Sequence, residues 1–163
     1  MGIETPIRVY DYVNHPYKAV RQRLISAETD IFHKATKGAT SKIQTLASEL
    51  RVNFGGFELS TDISIKIKNI QEHEKTAGSG PMTVIELEWE ATRHPRLFPL
   101  MKAVLSIYPL TSTETQLDLS GIYEPPFGLL GAAVDTAALK RIAEASVNQF
   151  ITDVAVYLRN GLK

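Results

Sequence analysis

The sequence predicts an α+β domain in which a curved antiparallel sheet packs around one long C-terminal helix, with two short helices after the first strand. Three observations carry this expectation. Apolar and polar residues alternate through most of the middle of the chain, turn-forming clusters separate the alternating runs, and near the C-terminus the apolar period changes to three and four residues. The whole chain, residues 1–163, is expected to form a single domain.

The first element is a strand. Ile7, Val9 and Val13 alternate with Arg8, Tyr10 and Tyr12, and Asp11 falls on the apolar side of that alternation. Asn14, His15 and Pro16 end the strand, and Pro16 suits the first turn of a helix. Tyr17, Val20 and Leu24 then recur at helical spacing, opposite Lys18, Arg21, Gln22 and Arg23. A second short helix is expected after Ser26, running through Ile31 and Phe32 and ending before Gly38.

From about residue 46 the period of two returns. Leu46, Ser48, Leu50, Val52 and Phe54 share one face ahead of Gly55-Gly56, a pair able to take the positive φ of a tight hairpin turn. Leu59, Thr61, Ile63, Ile65 and Ile67 follow on one face, with Ser60, Asp62, Ser64, Lys66 and Lys68 on the other, the clearest half-exposed strand in the chain. The polar stretch from Glu72 to Pro81 reads as a loop. Ile85, Leu87, Trp89 and Ala91 then alternate with Glu86, Glu88 and Glu90. Met101, Ala103, Leu105 and Ile107 point inward along the next strand. Leu117, Leu119, Gly121 and Tyr123 do so along the last, after a turn at Thr111 to Glu114. Six strands joined by short turns imply an antiparallel meander.

Pro125 and Pro126 end the last strand, and from Leu129 to Leu158 there is no proline and one glycine, Gly131. Leu139, Ile142, Ala143, Val147, Phe150, Ile151, Val154 and Leu158 form one broad apolar stripe, and Asn160-Gly161 is a fitting stop. A helix of roughly 30 residues would be about 45 Å long, enough to cross the whole sheet.

Composition narrows the function. Eighteen Lys and Arg balance eighteen Asp and Glu, so no global field favours nucleic acid or an anionic bilayer, and no nucleic-acid partner is expected. The absence of cysteine removes disulfides, thiolate zinc sites and thiol nucleophiles, and fits a reducing cytoplasm. The N-terminal residues carry no basic run followed by an apolar one. The longest uncharged stretch, Pro125 to Val134, is too short to span a bilayer, so a cytoplasmic location without stable membrane insertion is expected. His15, His33, His73 and His94 form no chelating pair, and no metal site is expected. Gly55-Gly56 and Gly78-Ser79-Gly80 lack the helix and lysine of a phosphate loop, so no nucleotide and no other cofactor is expected.

The order of elements resembles the START-like superfamily, also called SRPBCC, with its helix-grip fold. The most specific local likeness is Gly121-Ile122-Tyr123-Glu124-Pro125-Pro126-Phe127-Gly128-Leu129-Leu130-Gly131, a G-x-Y-x-P-P-x-G pattern at the junction into the last helix, followed by Asp135. Leu50-Arg51-Val52-Asn53-Phe54-Gly55-Gly56-Phe57 is a weaker one. The resemblance implies a sheet of six or seven strands and a cavity between sheet and helix whose occupant is commonly apolar. Phe32 stands where bacterial relatives often carry tryptophan, and no catalytic pattern transfers.

On that implied fold the expected cavity lining is Leu50, Val52, Thr61, Ile63 and Ile65 from the earlier strands. Leu87, Trp89, Met101, Leu105, Leu119 and Tyr123 come from the later strands, and Val147, Phe150 and Ile151 from the helix. Asp11, Ser48, Thr61, Trp89 and Tyr123 are the inward residues able to orient a ligand. The same residues also suit an ordinary core, in which Asp11 reaches water at a strand edge and the aromatics simply pack. Three functions stay open: binding a hydrophobic small molecule such as a lipid, isoprenoid or polyketide; a cyclase or aromatase; and a protein-interaction module with a vestigial cavity. The apolar loop at Phe98, Pro99 and Leu100 suits either a gate or a contact in a homodimer.

Overall fold

The structure, a computed structural model, describes residues 5–49, 63–74, 76, 78, 80–91, 100–124 and 136–162. In chain order these form β1 (Thr5–Val13), α1 (Tyr17–Glu49), β2 (Ile63–His73), β3 (Met82–Ala91), β4 (Leu100–Thr111), β5 (Glu114–Glu124) and α2 (Thr136–Gly161). The strands make one antiparallel sheet in the order β1-β5-β4-β3-β2, a meander from β2 to β5 with β1 added beside β5. One face of this sheet packs on α1 and α2, and the other carries the charged residues. Lys68 and Lys102, for example, flank Glu88 at 3.4 and 3.8 Å on that exposed face.

Among the described residues the sheet has five strands, not six or seven. The expected strand from Leu46 to Phe54 is overturned over its first residues, because Leu46 to Glu49 belong to α1. Leu50, Val52 and Phe54 lie outside the described residues. The helical period prevails there because Ala35, Ala39, Ile43 and Leu46 recur at intervals of four, four and three and are all buried. An alternation beginning at Leu46 is the tail of that stripe.

The two short helices are likewise one element of 33 residues with a kink at Ala27, where φ is −130° and ψ is 22°. The kink falls one residue after the expected boundary at Ser26. Gly38 does not end the helix. It sits where α1 crosses α2, with the Asp153 carboxylate lying where a Cβ would be. Its small size serves close approach of two helices.

Helix α2 has 26 residues, about 39 Å at 1.5 Å per residue. Its buried face consists of Ile142, Ala143, Ser146, Val147, Phe150, Ile151, Val154, Ala155 and Leu158. The helix ends at Gly161 as expected, with the Arg23 side chain packed against that glycine and Arg159 in the last turn. Both cations suit the negative end of the helix dipole.

Candidate binding site

The registers of the four strand pairs place the inward side chains in rows that cross the sheet. Ile65, Trp89, Met101 and Tyr123 stand in one row, and Ile67, Leu87, Ala103, Gly121 and Ile7 in the next. Ile85, Leu105, Leu119 and Val9 make a third, and Thr83, Ile107, Leu117 and Asp11 a fourth. The interior thus has a tryptophan end and a threonine end, joined by aliphatic rows. At Gly121 the β4 backbone comes so near that a Cβ would collide with the Lys102 carbonyl and lie 2.6 Å from the Ala103 Cα. Only glycine allows the two strands to close up here.

At the tryptophan end, Phe150 of α2 faces the indole of Trp89 edge-on, with ring centroids 5.9 Å apart. Phe150 also stacks on Phe32 of α1 at 6.2 Å, so one ring joins both helices to the sheet. Trp89, Met101, Tyr123 and Phe150 are each no more than 2% exposed. The indole N–H of Trp89 is buried and has no hydrogen-bond partner among the described residues. Burial pushes the Tyr123 hydroxyl well above the ordinary tyrosine range, and Ser146 only partly opposes this. Tyr123 therefore stays protonated in the folded state. Its folded pKa is the raised one, so it favours folding less as pH rises above the unfolded value near 10.

The threonine end differs. The Tyr17 hydroxyl and Thr83 Oγ1 are 2.7 Å apart, and Thr115 Oγ1 donates to the His15 carbonyl at 2.8 Å. Arg159 of α2 donates to the Tyr12 carbonyl at 2.8 Å and lies 3.5 Å from Asp11 Oδ1. Asp11 also accepts from the Tyr12 backbone N–H at 2.7 Å. The carboxylate thus has its partners at the far end of the interior from Trp89, where it ties the end of α2 to β1.

Of the expected lining, Leu87, Trp89, Met101, Leu105, Leu119, Tyr123, Val147, Phe150 and Ile151 all fall in one buried cluster. Ile65 packs against it half-buried, and Ile63 is the first residue of β2, opposite Ala91. Leu50, Val52 and Thr61 lie outside the described residues, as do the Gly55-Gly56 turn, the Phe98-Pro99 loop and most of the junction from Pro125 to Asp135. Ser48 belongs to α1 rather than to a strand. Sequence reasoning missed Thr83 and Thr115 as paired inward groups. Both share the parity of their strands' apolar faces, which is the signal that could have found them.

Three surface grooves border these elements. The first, of about 460 Å³, runs between β1 and the first half of α2, with Ile7, Val9 and Ala145 at its base and Arg8, Arg141, Glu144 and Asn148 around it. Another, of about 410 Å³, lies between the start of α1 and the β2–β3 turn, where Arg21 pairs with Glu72. The third, of about 260 Å³, crosses the exposed sheet face beside Lys68, Glu88 and Lys102. All three are rimmed by charges of both signs. No group of three metal-ligating side chains occurs among the described residues, and no described helix is long and apolar enough to cross a membrane.

No family model matches the sequence, and no curated protein does. The fold is shared with solved structures. A conserved protein from Geobacillus kaustophilus is similar over 98% of both chains, with 10% identity and a TM-score of 0.51. The Zhui aromatase/cyclase from Streptomyces sp. R1128 is similar over 98% of this chain and 94% of that one, at 10% identity and a TM-score of 0.41. Ara h 8.0201 is similar over 96% and 98%, at 9% identity and a TM-score of 0.40. At these identities the likeness is one of fold alone, an antiparallel sheet with a long C-terminal helix lying on it.

Proposed function

We propose that the chain binds a hydrophobic small molecule between the inner face of the sheet and α2, at the tryptophan end of the interior. The observation that supports this most is the buried indole N–H of Trp89, which has no partner among the described residues. An unsatisfied buried donor costs about 1–3 kcal/mol, which a bound acceptor would offset. The surrounding row suits a guest. Met101 stands between Trp89 and Tyr123, and its unbranched side chain repacks more readily than a β-branched one. Binding would draw on burial of ligand apolar surface, at about 25 cal/mol per Å².

A second reading is favoured by two observations. The aromatic row is closed to solvent, and Tyr10, Tyr12 and Leu110 are about half exposed on the other face of the sheet. Together they suit an interaction module with a filled interior. Native mass spectrometry of the purified protein, with extraction of any bound molecule, separates the two. A co-purifying apolar species that quenches or shifts Trp89 fluorescence is expected. Repeated absence of any bound species, with no shift in melting temperature across a lipid and polyketide panel, would sink the binding reading.

A further inference from the structure

The buried threonines and serine among the described residues are Thr36, Thr40, Thr83, Thr115 and Ser146, while Arg23 Nε, beside Gly161, is a buried donor without a partner among the described residues. Each of the five hydroxyls is already satisfied. Thr36 bonds to the Phe32 carbonyl, Thr40 to Lys37 and Ser146 to Ala143, while Thr83 pairs with Tyr17 and Thr115 with His15. The buried donor left over at the tryptophan end is Trp89 Nε1. An indole N–H donates and cannot accept.

Two restrictions on a guest follow. It must present an acceptor, since a plain hydrocarbon would leave the indole N–H as it is. It must also be uncharged, because an ionised headgroup moved into apolar surroundings without a counter-charge is strongly disfavoured. The described side chains at this end, Ile65, Met101 and Tyr123 of the row and Phe150 of α2, offer no such charge. From the buried indole N–H, unpartnered among the described residues, and the neutral described side chains around it, we infer that the ligand is a neutral apolar molecule carrying a carbonyl oxygen, as in a ketone, ester or quinone, hydrogen bonded to Trp89 Nε1. This rests on the binding reading above and adds the chemical class of the molecule bound.

The chain has one tryptophan, so its indole N–H gives a single resonance in a nitrogen-15 correlation spectrum. Three probes of similar size separate the possibilities: butyrophenone, butylbenzene and phenylbutanoate. The ketone is expected to bind about tenfold more tightly than butylbenzene, the worth of roughly one hydrogen bond, and to move the Trp89 indole proton downfield. Phenylbutanoate, ionised at neutral pH, is expected to bind more weakly than either. Trp89→Phe should lose the preference for the ketone, bringing its affinity level with that of butylbenzene whatever the change in both. Equal affinity of ketone and hydrocarbon, or ketone binding without movement of the indole resonance, overturns the carbonyl assignment and leaves the binding reading standing. Failure of all three probes to bind wild-type protein overturns both. The indole shift is read on the wild-type chain, so the test holds even if Trp89→Phe does not fold.

Discussion

At one end of the sheet Thr83 and Thr115 reach Tyr17, the first residue of α1, and His15 just before it, whereas at the other end Trp89 buries a donor without a partner among the described residues. The two ends share a sheet, a helix and an equally apolar middle. They differ in whether the polar groups on the inward strand positions find partners among the described residues. A threonine hydroxyl on an inward strand position is tolerated when a fixed backbone carbonyl or phenol stands opposite, and it then fixes where α1 begins. A buried indole without a partner contributes apolar area but leaves a polar atom unused. The threonine end reads as scaffold, and the tryptophan end is where a buried donor stands without a partner among the described residues.

Substitutions can break or sharpen this contrast. The largest effect is expected at Phe150, the ring joining α1, α2 and β3. Phe150→Ala should lower the unfolding free energy by about 3–5 kcal/mol in a denaturant titration. A loss below about 1 kcal/mol would show that the tryptophan end is not packed as described. Thr115→Val, nearly isosteric, should cost about 1–2 kcal/mol by leaving the His15 carbonyl without its donor. A neutral result would remove the distinction between the ends. The smallest effect is expected for Arg159→Ala. Its contacts with Asp11 and the Tyr12 carbonyl are partly exposed, so a loss of under about 1 kcal/mol is expected, and the share owed to the ion pair should shrink in high salt.

Much of this could be read from the chain alone. The strands later found as β1, β3, β4 and β5 show themselves by a clean period of two, because each has one face on the core and one on solvent. The buried stripe of α2 from Ile142 to Leu158 is equally plain at three and four residues. Residues 38–49 were not, because Leu46 satisfies both periods at once and only tertiary packing decides between them. Gly38 misled for a related reason. A glycine can end a helix or let another helix approach, and its neighbour Asp153 is more than a hundred positions away in sequence. The inward parity of Trp89 and Tyr123 was legible, but the indole's lack of a partner among the described residues was not, since a hydrogen bond's absence is a property of the whole neighbourhood. Asp11 was legible as an inward carboxylate, while its counter-ion, Arg159, comes from the opposite end of the chain.

At the helix crossing beside Gly38 one carboxyl responds to acid in the opposite sense to a paired one. Burial against α1 raises the carboxyl pKa of Asp153 above its ordinary value of 3.8, and the bond from Gln149 only partly opposes this. Between that ordinary value and the raised one, the folded chain holds a proton that the unfolded chain has released. Lowering the pH through this window therefore makes the contribution of this one group more favourable to folding. Acid loosens most proteins by neutralising paired carboxylates, and at this crossing the same proton relieves a desolvated charge.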